Sequence, residues 1–290
     1  CSAWLQIQEK PTRCWDGAHK PVWRMGWSRP STGFPRTSTA TSPLTTSCDP
    51  GFTMKAVILA GGKGTRLAPY TKILPKPLMP IGDMPILEVL LRQLKTAGIE
   101  EVILTVGHLA ELLRAFFDDG SRFGIKILYS LEEQPLGTAG PLSLVADQLG
   151  ETFLVANGDV LTTLDLCELI AYHRRSGAIA TIASQARQVR VDLGVLHNDD
   201  TDALTGYIEK TVYDFFVSMW IYDFEPSVLE YIPVNQPLDF PDLVLDMIEA
   251  GERVSSYRFD GYWQDLGRED DYEQAVLEFD SIRDKILGEG

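Results

Sequence analysis

Three glycines, a threonine and an arginine fall within six residues, Gly61-Gly62-Lys63-Gly64-Thr65-Arg66, and Lys76 follows between Pro75 and Pro77. Glycines let backbone N–H groups come close to a ligand, so this loop can cradle a polyphosphate. Arg66 and Lys76 can then neutralise it. The loop is not a Walker A, because Gly62-Lys63 is followed by Gly64 where Ser or Thr is required. Its glycine spacing is also wrong for a dinucleotide fingerprint. The competing view of Arg66 and Lys76 as solvated surface cations sits poorly with the glycines and prolines around them.

Other residues could do chemistry in concert with that loop. Asp159 closes Asn157-Gly158-Asp159 after an apolar run, and Asp265 lies in an aromatic-glycine turn, Gly261 to Gly267. Either aspartate could be a plain turn or capping residue, and Asp265 taken alone favours that. Glu209 and Lys210 are neighbours on an expected strand, so their side chains should face opposite ways unless a twist or bulge intervenes. Glu132 and Glu133 precede the Pro135-Leu-Gly137-Thr-Ala-Gly140 loop. His108, His173 and His197 have no metal-ligand spacing and read as structural.

Alternating elements would have to hold these groups in place. The short apolar run 55–60 reads as a buried strand that ends in the glycine loop. Residues 86–97 carry apolar side chains at helical spacing and stop at Gly98. Strands are expected at 101–106, 125–129, 152–156 and 178–183. Helices are expected at 110–117, 139–149 and from an Asp165 cap to Arg175, with Gly177 just beyond. This β-α-β-α order implies a mostly parallel sheet with ligands at the carboxyl ends of its strands. The glycine loop and Asn157-Gly158-Asp159 both fall at such ends. Later, 193–196, 205–209 and 216–222 read as strands, and 241–250 and 270–287 as helices.

The glycine loop, Leu74-Pro-Lys76-Pro-Leu78, Pro80 to Leu87, Pro135 to Gly140, Asn157-Gly-Asp159, Tyr207-Ile-Glu-Lys210 and Gly261 to Gly267 together resemble the signature of the sugar-nucleotide pyrophosphorylases, or nucleotidylyltransferases. The chain is most similar to the short mannose-1-phosphate guanylyltransferase-like group. The resemblance implies a Rossmann-like α/β fold, with a mostly parallel mixed sheet flanked by helices and a strand-rich sugar-binding portion. It implies a Mg²⁺-dependent enzyme that joins a nucleoside triphosphate to a sugar 1-phosphate and releases pyrophosphate. On the same basis Arg66 and Lys76 meet the triphosphate, Gly61, Gly62, Gly64, Thr65, Gly137 and Asn157 line its site, and Asp159 and Asp265 hold the metal. Glu209 and Gly194 would meet the sugar, and Lys210 its phosphate. Uracil and thymine readers carry glutamine near Glu132; a carboxylate accepts from the N1–H and N2–H₂ of guanine, which favours GTP. Two positions depart from the family pattern. Thr211 replaces a proline, and Trp220 replaces a glycine that lines the sugar pocket, so an indole there would narrow it. The alternatives are a glucose-1-phosphate uridylyl- or thymidylyltransferase, or a non-catalytic sensor of nucleotide sugars on the same fold.

Composition bounds the rest. The chain has 290 residues and a formal net charge of −15. The first 53 hold six basic and three acidic residues, three of four cysteines and four of six tryptophans, and show no period of two or 3.6. They are expected to be a disordered, non-native leader before a nucleotidyltransferase domain at 54–290. The remainder is left with 20 basic against 38 acidic residues, which argues against general nucleic-acid binding. No apolar run is long enough to span a bilayer. Cys167 is the only cysteine after Met54, so that part has no disulfide framework or CxxC metal site of its own, which fits a cytoplasmic protein. A homo-oligomer stays open.

Overall fold

The computed structural model describes residues 54–288; the expectation for the first 53 lies outside them. In chain order the elements are β1 (Lys55–Ala60), β2 (Pro80–Ile81), β3 (Met84–Pro85), α1 (Ile86–Thr96), β4 (Glu101–Val106), α2 (Ala110–Phe117), β5 (Lys126–Leu131), β6 (Phe153–Asn157), β7 (Val160–Thr162) and α3 (Leu166–Ser176). Then come β8 (Ala180–Arg190), β9 (Val195–Asn198), β10 (Leu204–Ile208), β11 (Val212–Phe224), α4 (Phe240–Glu249), β12 (Val254–Arg258), β13 (Trp263–Asp265) and α5 (Glu269–Leu287).

Seven strands form one sheet in the order β12-β8-β11-β6-β1-β4-β5. Strand β11 runs antiparallel to both neighbours, and the other pairs are parallel. The chain winds from β1 outward through β4 to β5, then returns to place β6 on the other side of β1. That reversal opens a crevice beyond the carboxyl ends of β1 and β6, where doubly wound sheets bind ligands.

Alternation along the strands feeds a core on each face. Ala56, Ile58 and Ala60 of β1 pack with Leu87, Leu90, Leu91 and Leu94 of α1 and with Leu113 and Phe117 of α2. Val57 points to the opposite layer, among Leu142, Phe153, Tyr222, Phe240 and Leu243. Helix α1 has a second apolar face: Ile86 and Val89 pack with Ala275 and Phe279 of α5. Each such fully buried side chain contributes roughly 1.5–3 kcal/mol from removal of apolar surface. The helix ends where Gly98 turns left-handed (φ +84°) and its N–H donates to Lys95 O at 3.0 Å. Asp165 caps α3 as expected, accepting from the N–H groups of Cys167 at 2.8 Å and Glu168 at 3.3 Å.

Several expectations need correction. The helix expected at 139–149 is two 3₁₀ segments, Gly140–Leu144 and Ala146–Gln148. Pro141 has no N–H to give a helix, and the N–H groups of Ala139 and Gly140 donate across the chain to Leu238 O instead. The strand expected at 216–222 is a 13-residue strand, β11, that joins the main sheet rather than a separate portion. Its ladder with β8 shifts between Ser218 and Tyr222, and within the shift Trp220 has φ +59°. Glu209 and Lys210 are not on a strand: β10 ends at Ile208, and Lys210 turns left-handed with φ +49°.

Candidate active site

The carboxyl ends of β1, β4 and β6 open into a cleft of about 850 Å³. Gly61, Gly62, Gly64, Arg66 and Lys76 line it, together with Glu132, Gly137, Asn157 and Asp159. The backbone explains much of this placement. Gly64 is left-handed (φ +59°), and Thr71 Oγ1 donates to its carbonyl at 2.7 Å, which folds the loop back on itself. A Cβ on Gly61 would collide with the Glu132 carboxylate, so the glycine is what lets that acid lie over the loop. Gly158 N–H donates to Leu59 O at 3.0 Å and so ties the end of β6 to that of β1.

Lys76 pairs with Asp159 Oδ2, and its Nζ lies 4.0 Å from Asp265 Oδ1. The two carboxylates meet although 106 residues separate them. Strand β13 pairs antiparallel with β7, setting Asp265 opposite Val160, and Leu266 N–H donates to Asp159 O at 3.1 Å. Arg66 joins the group: a Cβ on Gly267 would lie 3.0 Å from Asp265 Oδ2 and 3.3 Å from Arg66 Nη2. Burial pushes the Lys76 ammonium down to about 8, with Asp265 opposing and Arg66 adding to the fall. Burial likewise raises the Glu132 carboxyl, opposed by the Leu136 N–H that donates to Oε2 at 3.4 Å.

Asp159 and Asp265 are hard oxygen donors converging on one cation, a donor set that suits Mg²⁺ completed by phosphate oxygens and waters. Among the described residues no three His, Cys, Asp or Glu come together as a metal cage. A metal here would need a ligand's oxygens.

The sugar-side residues sit apart from this cleft. Tyr207 OH donates to Glu209 Oε2 at 3.0 Å, and the same ring fills the space a Cβ on Gly194 would need. Gly194 and Glu209 are thus brought together through Tyr207. They do not line the cleft, nor do Thr65, Lys210 or Asp265. Trp220 does not line it either; the indole is partly buried and packs against the cores on both sheet faces. His108, read as structural, does line the cleft, as do Lys63, Thr105, Gly107 and Thr138. Of these, His108 and Gly107 follow β4 as the glycine loop follows β1, a positional signal the sequence carried.

A doubly wound sheet with a glycine loop, two cations and two acids at its switch point defines an α/β phosphate-binding protein. The chain belongs to the nucleotidyl transferase family, whose family model matches residues 55–281. It is 37% identical over 242 residues to the UTP–glucose-1-phosphate uridylyltransferase of Synechocystis sp., covering 77% of this chain and 62% of that protein. It is 37% identical over 229 residues to the mannose-1-phosphate guanylyltransferase of Mycobacterium tuberculosis, covering 75% and 62%. The chain therefore spans less than two thirds of either relative. Among solved structures, HddC from Yersinia pseudotuberculosis superposes with a TM-score of 0.62 at 25% identity, covering 78% of this chain and 100% of that one. A UDP-glucose pyrophosphorylase complexed with UDP-glucose has a TM-score of 0.62 at 19% identity, covering 79% and 99%, which speaks to the fold. Among the described residues no helix is long and apolar enough to cross a membrane.

Proposed function

We propose that the cleft binds a nucleoside triphosphate, preferably GTP, and transfers its nucleotidyl group to a sugar 1-phosphate, preferably mannose 1-phosphate. The products are a nucleotide sugar and pyrophosphate, and the setting is the cytoplasm. One observation carries this reading: Lys76, Asp159 and Asp265 converge beside the glycine loop, at the sheet's switch point.

Both reactants are anions. An oxygen of the sugar phosphate attacks the α-phosphorus of the nucleotide. The bond from that phosphorus to the α–β bridging oxygen breaks, and its electron pair leaves on pyrophosphate. No covalent intermediate is needed, so the protein has to align the reactants and offset their charge. Backbone N–H groups of the loop from Gly61 to Thr65 would hold the triphosphate, and Arg66 would offset it. Lys76 would exchange Asp159 for the α-phosphate. Asp159 and Asp265 would hold Mg²⁺, which supplies charge compensation at the phosphate oxygens. Asn157 and Gly137 would border the nucleoside, and Glu132 would accept from guanine. On the sugar side Glu209 and Gly194 would meet hydroxyls and Lys210 the phosphate.

The Synechocystis relative keeps UTP and glucose 1-phosphate as a second reading. One assay separates them: GTP, UTP, ATP, CTP and dTTP crossed with mannose, glucose and N-acetylmuramic acid 1-phosphates, following pyrophosphate release. GTP with mannose 1-phosphate is expected to give a kcat/KM at least about tenfold above any other pair, a difference of ~1.4 kcal/mol. No pyrophosphate from any pair, with a nucleotide sugar still bound, would instead identify a sensor.

A further inference from the structure

Thr105 lies one residue before the end of β4, in register with Leu59 of β1 and Ser130 of β5. It is 0% exposed, it lines the cleft, and its Oγ1 has no hydrogen-bond partner. A buried hydroxyl with no partner is destabilising. Valine would fill the same volume at this strand position without that cost. An orphaned hydroxyl on the wall of a cleft is therefore accounted for by a partner that arrives with the ligand.

We infer that Thr105 is a specificity-determining residue whose hydroxyl donates to a carbonyl oxygen of the nucleotide base, while Glu132 accepts from the N–H groups beside that oxygen. The inference rests on the cleft being the nucleotide site. Glu132 is fastened to the same strand: its N–H donates to Val106 O at 2.9 Å, one residue beyond Thr105. Leu59 and Pro141 line the cleft with them and supply apolar wall. Guanine presents the acceptor O6 next to two donors, N1–H and N2–H₂. A hydroxyl donor beside a carboxylate acceptor complements that edge. Uracil flanks its single N–H with carbonyl oxygens on both sides, so a carboxylate facing it meets a second lone-pair oxygen. The pair therefore selects guanine twice, by a bond made and by a repulsion avoided. Sheet register fixes Thr105, and its β-branched side chain is stiff, so the donor is in place before the base arrives.

The test uses the full chain with Thr105→Val, which removes the hydroxyl at constant volume, and Thr105→Ser, which keeps it. Calorimetry gives Kd for GTP and for 6-thio-GTP, whose sulfur is a weak acceptor in place of O6. Thermal unfolding without nucleotide gives Tm. Wild type is expected to prefer GTP over 6-thio-GTP by about tenfold or more. Thr105→Val should lose about tenfold in GTP affinity, bind the two nucleotides alike, and unfold at the same or a higher Tm. Thr105→Ser should keep the wild-type preference. A Thr105→Val protein with unchanged GTP affinity and preference overturns the inference while leaving the cleft as the nucleotide site. A lowered Tm in that variant also overturns it, because the hydroxyl then has a partner inside the protein. A wild-type protein that binds no nucleotide overturns both.

Discussion

At the scale of single residues, the consequential group is Lys76, with an 11% exposed side chain between two carboxylates. Removing its ammonium leaves Asp159 and Asp265 facing each other without a cation and leaves the attacked phosphate less well compensated. Lys76→Ala should therefore lower kcat for pyrophosphate release by about 10²-fold or more. Circular dichroism should report an intact fold, with some loss of Tm from carboxylate repulsion. A kcat within a few fold of wild type would remove Lys76 from the chemistry. Trp220 presents two effects of opposite sign. Its left-handed backbone costs roughly 1–2 kcal/mol for a residue with a side chain, which Gly would recover. Its indole packs against both cores, and deleting a well-buried Trp costs about 3–5 kcal/mol. Packing wins, so Trp220→Gly should destabilise the protein by about 1–3 kcal/mol in urea unfolding. The kcat/KM for sugar phosphate should stay within twofold. A tenfold gain would instead mean that the indole narrows the sugar pocket.

At the scale of elements, the wall of the cleft from Pro135 to Gly140 is held by the start of α4. Thr138 N–H donates to Asp239 Oδ1 at 3.0 Å, and Thr138 Oγ1 accepts from Phe240 N–H at 2.8 Å. Leu238 N–H donates to Leu136 O at 2.9 Å. The side chains thus cap α4 from across the cleft wall rather than from within the helix. Asp239→Ala should cost about 1 kcal/mol of stability, the worth of a cap-like bond. It should also raise the nucleotide KM several-fold with kcat little changed, because the loosened wall affects binding. An unchanged nucleotide KM would show that the wall holds without Asp239. This clamp also shows where the sequence stops being legible. β4 and α2 fall at the residues their patterns mark, because each depends on its own apolar period and on a local stop signal. The 139–149 segment carries the same apolar content, yet its backbone bonds go to Leu238, nearly a hundred residues on. Strands β12 and β13, partnered by β8 and β7, have too few residues to show a period. The nucleotide half of the candidate site was legible because the glycine and proline motifs are local. Thr105 was not, since a lone threonine in an apolar strand means nothing until its hydroxyl is found without a partner. Trp220's left-handed turn comes from a ladder shift between distant strands.

At the scale of the molecule, two buried titrating groups set how stability responds to pH. Asp223 on β11 is 0% exposed, and neither carboxyl oxygen has a hydrogen-bond partner. Burial drives its pKa well above the carboxylate range, against the pull of Arg174. The folded protein therefore keeps this proton at neutral pH, whereas the unfolded chain releases it near pH ~3.9. Between those two pKa values the folded state binds more protons, so this group removes stability as pH rises. His173 acts in the opposite sense. It is buried, its Nδ1 lies 2.7 Å from Thr181 Oγ1 and its Nε2 3.2 Å from Glu225 Oε1. Burial lowers its pKa, with Glu225 opposing. The unfolded chain takes up a proton below about pH 6.5 that the folded state resists, so stability falls as pH drops through that value. The two slopes oppose each other from about pH 4 to 6.5, and above that range the Asp223 slope remains. Asp223→Asn keeps the shape and removes the titration. A buried amide brings its own bonding cost, which shifts Tm by a constant at every pH. The informative quantity is therefore the difference in Tm between variant and wild type, measured from pH 4 to 8. It should move steadily in favour of Asn as pH rises, by several degrees over the range. A difference that stays flat would mean that Asp223 ionises alike in both states, and that its carboxylate has found compensation inside the fold.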